Sequence, residues 1–473
     1  MVGDDLVMGQ NFVGCDREQE LLLPPSLREW LPEGHLAWFV IDAVAAMSLD
    51  AFYASYRADG HGRAALDPSM MLTLLLYAYS TGQRSSRAIE RRCSDDVAFR
   101  VITANQTPDH ATIARFRVRH QQALGELFGE VLALCAKAGL VSVGVIALDG
   151  TKLRANASDR VNREYQRIAE EILAEADELD AQEDARFGER RADELPAELS
   201  NSNDRRQRLR DARHALEAER AARQRPVPGD RRGRLLMARD RLEEDHALET
   251  RVIEEHNVWR ATGVASDGSR RMSRAPGQLD PPPAPTGQAN TTDPDSRKVK
   301  ATRGYLQGYN AQAVTTEQQI VIAAELTIET DVAQLAPMID HARRELTGSG
   351  IQEQPGTVLA DAGYWNAAHI EKLTAEGCQV LVPPDALKAG KPRPGRVGGL
   401  YTAMREALST DTGAGLYSQR QWMVEPVFAD IKFNRRADRF QRRGRAACRS
   451  EWRLITATHN LLKLYRHSTP ILA

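Results

Sequence analysis

The sequence predicts an α/β core with a mixed five-stranded sheet, interrupted by a helical insertion and preceded by an all-α N-terminal region. Three observations support this. Apolar residues recur at three- and four-residue spacing as far as about Leu140, as they do in helices. Segments rich in β-branched residues follow, first VSVGVIALDGTKLRANAS and then a series that begins at GYNAQAVTT. About a hundred highly charged, helix-favouring residues separate these two strand-forming parts.

Residues 1–140 are expected to form a helical domain. Asp67-Pro68 and Thr107-Pro108-Asp109 mark helix starts. The segments after them predict three short helices, MMLTLLLYAYSTGQ, SSRAIERRCSDDVAFRVI and PDHATIARFRVRH, the last of which carries Arg115, Arg117 and Arg119. Such an arrangement suits a helix-turn-helix that binds DNA. An ordinary helical bundle with a solvated basic face fits the same pattern equally well.

Residues 141–159 are expected to form the first strand of the core, which holds a single acid, Asp149, in an apolar setting. Residues 160–300 then form the predicted insertion and linker, ending in the Pro-rich PGQLDPPPAPTG. The Leu209 to Leu216 spacing favours a helical hairpin whose helices pair. Dimerisation, clamping of DNA and shielding of an active site all remain open as roles for this insertion.

Residues 301–473 complete the core. Without the insertion, the predicted order of elements is β-β-β-α-β-α-β-α, which is the order of a ribonuclease-H-like fold, with three antiparallel strands extended by parallel ones. In that fold the first strand lies beside the fourth, and the last helix packs across both. Asp149, Asp361 and Glu425 occupy these three positions.

Composition excludes some classes of protein. The 473 residues are 42% hydrophobic, enough for a large core, but no apolar run is long enough to cross a membrane and the first residues do not resemble a signal peptide. We therefore expect a cytoplasmic protein. The five cysteines lie far apart without a CxxC pair, which predicts free, mostly buried thiols.

The net charge of −2 conceals an uneven distribution. Between Asp430 and Arg453, nine Lys/Arg stand against three Asp/Glu. A charge run usually forms a solvated helix face, but this one directly follows Glu425. Its position favours contacts with DNA phosphates, which would be sensitive to salt.

Three carboxylates brought together would repel one another unless a cation or a proton intervened. Carboxylate oxygens suit Mg²⁺, or Mn²⁺, and two such ions roughly 4 Å apart can promote in-line displacement at a phosphodiester. Taken singly, Asp149 and Asp361 could instead be turn residues beside glycine, and Glu425 could be a surface residue paired with Lys432. The order of the fold joins the three acids into one hypothesis.

At these residues the sequence resembles the DDE transposases of bacterial insertion sequences, most closely the insertion-sequence 1182 type, related to the insertion-sequence 4/5 superfamily. The motifs are ALDGTKLRANAS, GYNAQAV, VLADAGYW and VEPVFADIKFNRR, in the family's order, together with the helical region that ends in PDHATIARFR. The resemblance implies that Asp149, Asp361 and Glu425 are catalytic and bind the metal.

The resemblance also implies DNA contacts. Tyr417, Arg420, Glu425 and Lys432 can fill a C-terminal signature of related enzymes, with Arg420 one residue further from Glu425 than in the commonest form. Lys432 would then lie near the scissile phosphate, and Lys152 could reach a phosphate too. The residues expected to bind DNA are Lys152, Arg420, Lys432, Arg435, Arg436, Arg439, Arg442, Arg443, Arg115 and Arg117.

The function expected from these features is DNA transposition: cleavage at the inverted repeats that end an insertion sequence, then joining of the ends to target DNA. A homodimer or larger assembly on DNA is expected because two ends must be brought together. The expected location is the bacterial nucleoid. Two alternatives remain. One is a catalytically inactive DNA-binding protein derived from a transposase, and the other is a metal-dependent nuclease that performs no strand transfer.

Overall fold

The computed structural model describes residues 26–56, 65–187, 227–263, 277–301, 304–385 and 398–468. Its helices are α1 Leu36–Ala45, α2 Asp50–Tyr53, α3 Pro68–Ser80, α4 Ser86–Asp95, α5 Val97–Ile102, α6 His110–Arg119, α7 Gln121–Lys137, α8 Tyr165–Phe187, α9 Arg231–Thr262, α10 Leu335–Gly348, α11 Ala367–Ala375, α12 Gly399–Ser409, α13 Asp411–Ala429 and α14 Arg445–Ser468. Its strands are β1 Val145–Arg154, β2 Asn162–Arg163, β3 Ala289–Asn290, β4 Arg297–Ala301, β5 Gly304–Thr316, β6 Val321–Thr327, β7 Thr357–Ala360 and β8 Gln379–Leu381. A π-helical turn, Asp430–Asn434, continues α13.

The main sheet has the predicted strand order. β5 pairs antiparallel with β1 and β6, while β7 lies parallel to β1 and β8 lies parallel to β7. The prediction of five strands was incomplete, because β4 pairs antiparallel with the first half of β5 and makes the sheet six-stranded. β4 was missed because three of the five residues in its sequence, RKVKA, are charged, so that this half-exposed edge strand resembles a linker.

Between Pro68 and Arg119 of the N-terminal region the structure has four helices, α3 to α6, where three were predicted. The segment SSRAIERRCSDDVAFRVI divides into α4 and α5 at Asp96, whose backbone is extended. The Asp96 carboxylate accepts a hydrogen bond from the backbone N–H of Ala98 and caps α5. At α3 the predicted start is confirmed, since Asp67 caps the helix and Pro68 occupies its first turn.

The insertion contributes two long helices, α8 and α9, which pack against each other. They share a small apolar cluster with β3, formed by Ile168, Leu235, Ala238, Leu242 and Ala289. Gly263 ends α9 with a left-handed backbone, φ 71°, a conformation that glycine adopts without steric cost. Leu209 and Leu216 lie outside the described residues.

One continuous apolar core joins the N-terminal helices to the sheet. The buried helix α14 packs against α3, α7 and β6. Its Trp452 is fully buried and donates from its indole N–H to the Gln312 carbonyl of β5. On the sheet, α13 packs against β1, β5 and β7. Helices thus cover the sheet, and α13 crosses the strands that carry the candidate acids.

Two further expectations concern cysteines and membranes. Cys93, Cys135, Cys378 and Cys448 are buried free thiols, as predicted, and Cys15 lies outside the described residues. Among the helices of the described ranges, none combines the length and the apolar character that a membrane crossing requires.

Candidate active site

The sheet brings Asp149 and Asp361 together. Leu148 of β1 is in register with Ala360 of β7, so the next residue on each parallel strand is an aspartate. Asp149 continues within β1 opposite Ala313, which shows that it is a strand residue and not a turn residue. Asp361 directly follows β7 and accepts a hydrogen bond of 2.8 Å from the Gly363 N–H, capping a short turn.

The Asp149 carboxyl group lies in an environment that disfavours its charge. Burial, with a further contribution from the nearby Asp361 carboxylate, raises the pKa of Asp149 to about 6. Arg420 of α13 opposes this rise through a salt bridge of 2.9 Å between Nη1 and Oδ2. Tyr417, one turn earlier, interacts with the same guanidinium. Helix α13 therefore places the Arg420 guanidinium against the Asp149 carboxylate.

Glu425 lies apart from this pair. It is exposed on α13, whereas Val424 and Val427 beside it are fully buried. Glu425 is five positions after Arg420, an offset that corresponds to about 140° around an α-helix. Since Arg420 faces Asp149, Glu425 faces away from it. Within the ranges that the structure describes, no three His, Cys, Asp or Glu side chains are gathered closely enough to hold a metal ion.

The chemistry of the two aspartates nonetheless fits Mg²⁺. This ion is commonly bound through one or two carboxylates, retains several waters and takes up substrate phosphates. The raised pKa of Asp149 reflects burial together with a neighbouring carboxylate, a repulsion that a divalent cation would relieve. Arg420 now neutralises one Asp149 oxygen, Oδ2, while Oδ1 accepts from the Gly150 N–H.

A polar network beside the acids was missed at the sequence level. Asp331 Oδ1 accepts from Asn310 at 2.8 Å and from Gln312 at 2.9 Å. The Lys152 ammonium lies 3.2 Å from both Asp331 oxygens and 2.7 Å from Asn310 Oδ1. Lys152 was expected to be free for phosphate, but a carboxylate and an amide hold it in this structure. The sequence signal was polar residues at alternate positions of an otherwise buried β5.

Buried Tyr364 connects this network to both aspartates. Its hydroxyl donates to Gln312 Oε1. Burial raises the pKa of Tyr364 well above its usual value, and the charges of Asp331, Asp149 and Asp361 add to the rise. The phenol therefore stays protonated and remains a hydrogen-bond donor close to three carboxylates.

Gly150 leaves room for the network. A Cβ atom built at Gly150 would lie 2.5 Å from Gln312 Nε2, 2.9 Å from Asn310 Oδ1 and 3.0 Å from Asp331 Oδ1. Any side chain would displace these groups. The Asp-Gly pair thus serves close packing within a strand.

Lys432 lies at the same end of the sheet, in the π-helical turn after α13. Burial lowers the pKa of its ammonium, as does the charge of Lys152, whereas Asp438 and Asp149 oppose the decrease. Lys152 and Lys432 therefore both lie near Asp149. An anionic substrate at Asp149 and Asp361 would meet both.

Two of the predicted DNA-binding arginines are buried. Arg435 is 5% exposed and binds Asp430, the Ile455 carbonyl and Thr458. Arg117 is 6% exposed, with its guanidinium 5.5 Å from the centre of the Tyr79 ring. The structure uses both side chains in the protein core, where DNA cannot reach them.

The remaining predicted arginines differ in exposure. Arg436 and Arg115 are exposed, as are Arg439 and Arg443. Arg439 donates to the Ala155 and Ala157 carbonyls and Arg443 donates to the Asn156 carbonyl, so both lie against the end of the β1 segment. Arg442 is half-buried and donates to Gln121.

Glu451 of α14 holds this basic segment in place. Its carboxylate accepts from the backbone N–H groups of Gln441 and Arg442. It also forms a buried salt bridge of 3.0 Å with Arg84 of the N-terminal region. Arg84 in turn donates to the Arg436 and Arg439 carbonyls, which ties the basic segment to the helical region.

Comparison with known families agrees with this architecture. Residues 25–119 match a family described as a transposase domain of the DUF772 type, and residues 273–461 match a transposase DDE domain. The two matches support a DDE-type transposase related to those of insertion sequences 4 and 5. A comparison with curated proteins and another with solved structures gave no significant match.

The DDE match covers Asp361 and Glu425 but begins after Asp149. Asp149 enters the candidate site through the pairing of β1 with β5 and β7. DDE transposases have a ribonuclease-H-like fold, generally depend on divalent metal ions and act on DNA, in agreement with the sheet and the paired acids described above.

Proposed function

We propose that the protein is an insertion-sequence transposase of the insertion-sequence 1182 type that cleaves DNA at the element's ends and joins the freed 3′ hydroxyls to target DNA. The observation that carries this proposal is the juxtaposition of Asp149 and Asp361 on adjacent parallel strands, beneath a helix that brings Arg420 to them.

In this proposal Asp149 and Asp361 hold the catalytic Mg²⁺. Glu425, which faces away from Asp149 in this structure, would join them as the third acid after α13 turns on binding metal and DNA. The bound metal would activate the attacking hydroxyl or water and stabilise the leaving 3′ oxygen. Arg420 is paired with Asp149 in this structure. A metal ion that neutralised the Asp149 carboxylate would leave the Arg420 guanidinium available to a DNA phosphate. Lys152 and Lys432 flank Asp149 and contribute positive charge toward the same phosphate.

The DNA surface extends from this site along the exposed arginines. Arg436, Arg439 and Arg443 lie on the segment that follows α13. Arg115 supplies a separate exposed cation on α6. Contacts from these residues would fix the position of the backbone without reading its sequence. Two ends are brought together by a homodimer or larger assembly.

The test is Mg²⁺-dependent cleavage of DNA that carries the element's own flanking sequence. Asp149→Asn, Asp361→Asn and Glu425→Gln should each abolish cleavage while end binding is retained. Glu406→Gln, at an exposed acid on α12, is the matched control and should cleave normally. If any one of these three variants cleaves at the wild-type rate, the substituted residue is not part of the metal site.

The same reaction separates the alternatives. Cleaved ends that become joined to a second DNA molecule indicate a transposase, whereas cleavage without joining indicates a nuclease. Binding with neither reaction in wild-type protein would indicate a DNA-binding protein.

A further inference from the structure

A pair of buried side chains bridges the sheet beside the two aspartates. Tyr364 lies in the turn that follows Asp361, and its hydroxyl donates a hydrogen bond to Gln312 Oε1 of β5. Because β1 lies between β5 and β7, this hydrogen bond connects segments on either side of β1, across a distance of about 10 Å between the outer two strands. Gln312 and Tyr364 together are called the amide–phenol bridge below.

The strand beneath the bridge has a glycine at the crossing point. Gly150 is in register with Gln312, and a Cβ atom built at Gly150 would lie 2.5 Å from Gln312 Nε2. Side chains alternate between the two faces of a strand, so the bridge crosses β1 on the face opposite the Asp149 carboxylate. Glycine thus lets the bridge pass close to the strand that holds Asp149 without covering its carboxylate.

Asp331 fixes the direction of the hydrogen bonds in the bridge. Its carboxylate is paired with the Lys152 ammonium and can only accept, so Gln312 directs Nε2 toward it, at 2.9 Å. Gln312 Oε1 then faces Tyr364, and the phenol must donate. The bridge therefore has a single hydrogen-bond arrangement.

Both ends of the bridge are anchored. The Gln312 carbonyl accepts a hydrogen bond of 3.0 Å from the buried Trp452 indole of α14. At the other end, the Tyr364 N–H donates to the Asp361 carbonyl at 3.0 Å, and the Gly363 N–H donates to the Asp361 carboxylate at 2.8 Å. A shift of the Tyr364 ring would therefore move the Asp361 carboxylate with it.

We propose that the amide–phenol bridge holds Asp361 at the separation from Asp149 that a divalent ion requires, so that Tyr364 and Gln312 are positioning residues of the metal site. The proposal rests on the proposed function, in which Asp149 and Asp361 are the metal ligands. Mg²⁺ demands near-ideal geometry from its ligands, so a small displacement of one carboxylate costs affinity. Removing the groups that orient metal ligands commonly lowers metal affinity by about 10- to 100-fold.

A role in folding alone is the competing explanation, because buried polar groups are generally hydrogen-bonded. The chain contains a matched case. Tyr309 of β5 is as fully buried as Tyr364, and its hydroxyl donates at 2.8 Å to the Asp293 carboxylate. That bond ties β5 to the loop between β3 and β4 and not to the turn of Asp361. Loss of either hydroxyl should reduce stability, whereas only loss of the Tyr364 hydroxyl should weaken metal binding.

The test measures Mn²⁺ binding to the whole protein without DNA, from the decrease in the electron paramagnetic resonance signal of the free ion. Tyr364→Phe removes only the donor hydroxyl and should weaken Mn²⁺ binding about tenfold. Tyr309→Phe is the control, which should lower the urea midpoint about as much as Tyr364→Phe and leave Mn²⁺ affinity unchanged. Asp149→Asn identifies the site, because it should lose the ion bound there.

Gln312→Met tests the other half of the bridge with a side chain of similar length. It should weaken Mn²⁺ binding at least as much as Tyr364→Phe does. Combining the two substitutions should add no loss beyond that of Gln312→Met, because both remove the same interaction.

Hydrogen exchange provides a measurement that needs no metal. The peptide covering residues 357–366, which contains β7 and the turn after Asp361, should exchange faster in Tyr364→Phe than in wild type. Its exchange in Tyr309→Phe should match wild type.

Wild-type Mn²⁺ affinity in Tyr364→Phe, or an equal loss in Tyr309→Phe, would overturn the proposal. Unchanged exchange of the 357–366 peptide would overturn it too, because Asp361 would then keep its position without the bridge. Failure of the proposed function gives different results. Wild type that binds Mn²⁺ no better than Asp149→Asn would refute both. Wild type that binds Mn²⁺ without cleaving DNA would refute the proposed function, while a loss of about tenfold in Tyr364→Phe would still support the bridge.

Discussion

Asp149→Asn should stabilise the metal-free protein while abolishing its activity. The structure buries Asp149 and raises its pKa from 3.8 to about 6. Since each pH unit corresponds to about 1.4 kcal/mol, the charged carboxylate costs the native state up to about 3 kcal/mol at neutral pH. Asparagine occupies the same volume without that charge, and its amide oxygen can still accept from Arg420.

The sign of the pH dependence follows from the raised pKa. Native protein retains the Asp149 proton up to pH about 6, whereas the unfolded chain releases it near 3.8, so wild-type stability falls as pH rises between these values. The stability advantage of Asp149→Asn should therefore increase through that window, by up to about 3 kcal/mol, and level off above it.

Urea unfolding across this pH range, without metal, is the assay. Asp280→Asn, at an exposed aspartate, should follow wild type throughout and serves as the control. An Asp149→Asn curve that runs parallel to wild type, or one that loses stability relative to wild type as pH rises, would refute the reasoning.

Adding Mg²⁺ extends the same comparison. A ligand at ten times its dissociation constant stabilises the folded state by about 1.4 kcal/mol. Wild type should gain this stability and Asp149→Asn should not, which would narrow the gap between them. Equal stabilisation of both proteins would place the metal elsewhere.

Three further predictions concern residues around the site. Asp331→Asn should release the Lys152 ammonium and lower the rate of cleavage more than the affinity for DNA, as steady-state kinetics would show. An unchanged rate would show that Asp331 does not position Lys152 for the reaction. Glu451→Gln should cost about 3–5 kcal/mol in urea unfolding because it leaves buried Arg84 without its counter-charge, and a loss below about 1 kcal/mol would argue against that. Asp293 is fully buried and burial raises its pKa to about 6, so the stability of Asp293→Asn relative to wild type should increase between pH about 4 and 6, and a pH-independent difference would contradict it.

The strands of the sheet were predictable because the residue pattern of each short segment indicates a strand. Apolar β-branched runs predict strands, and the alternation with helices leaves few topologies for their order. The fold makes the first and fourth strands neighbours, so the proximity of Asp149 and Asp361 was expected, whereas the register of Leu148 with Ala360 is known only from the structure. The β4 strand escaped prediction because three of its five residues are charged, and only its pairing with β5 shows that it is a strand.

Side-chain partners were less predictable, because they depend on contacts between distant segments. Arg435 and Arg436 are adjacent in the same basic run, yet the first is buried against α14 and the second is exposed. The sequence shows their charge and not their direction. Asp331 lies far along the chain from Lys152, and nothing near either residue indicates that the two would pair.

The central claim, that Asp149 and Asp361 form the metal site for DNA strand transfer, is tested most directly with pre-cut element ends. Wild-type protein should join a free 3′ hydroxyl to plasmid DNA in Mg²⁺, and Asp149→Asn and Asp361→Asn should bind the same ends without joining them. Joining by either variant at the wild-type rate would contradict the claim.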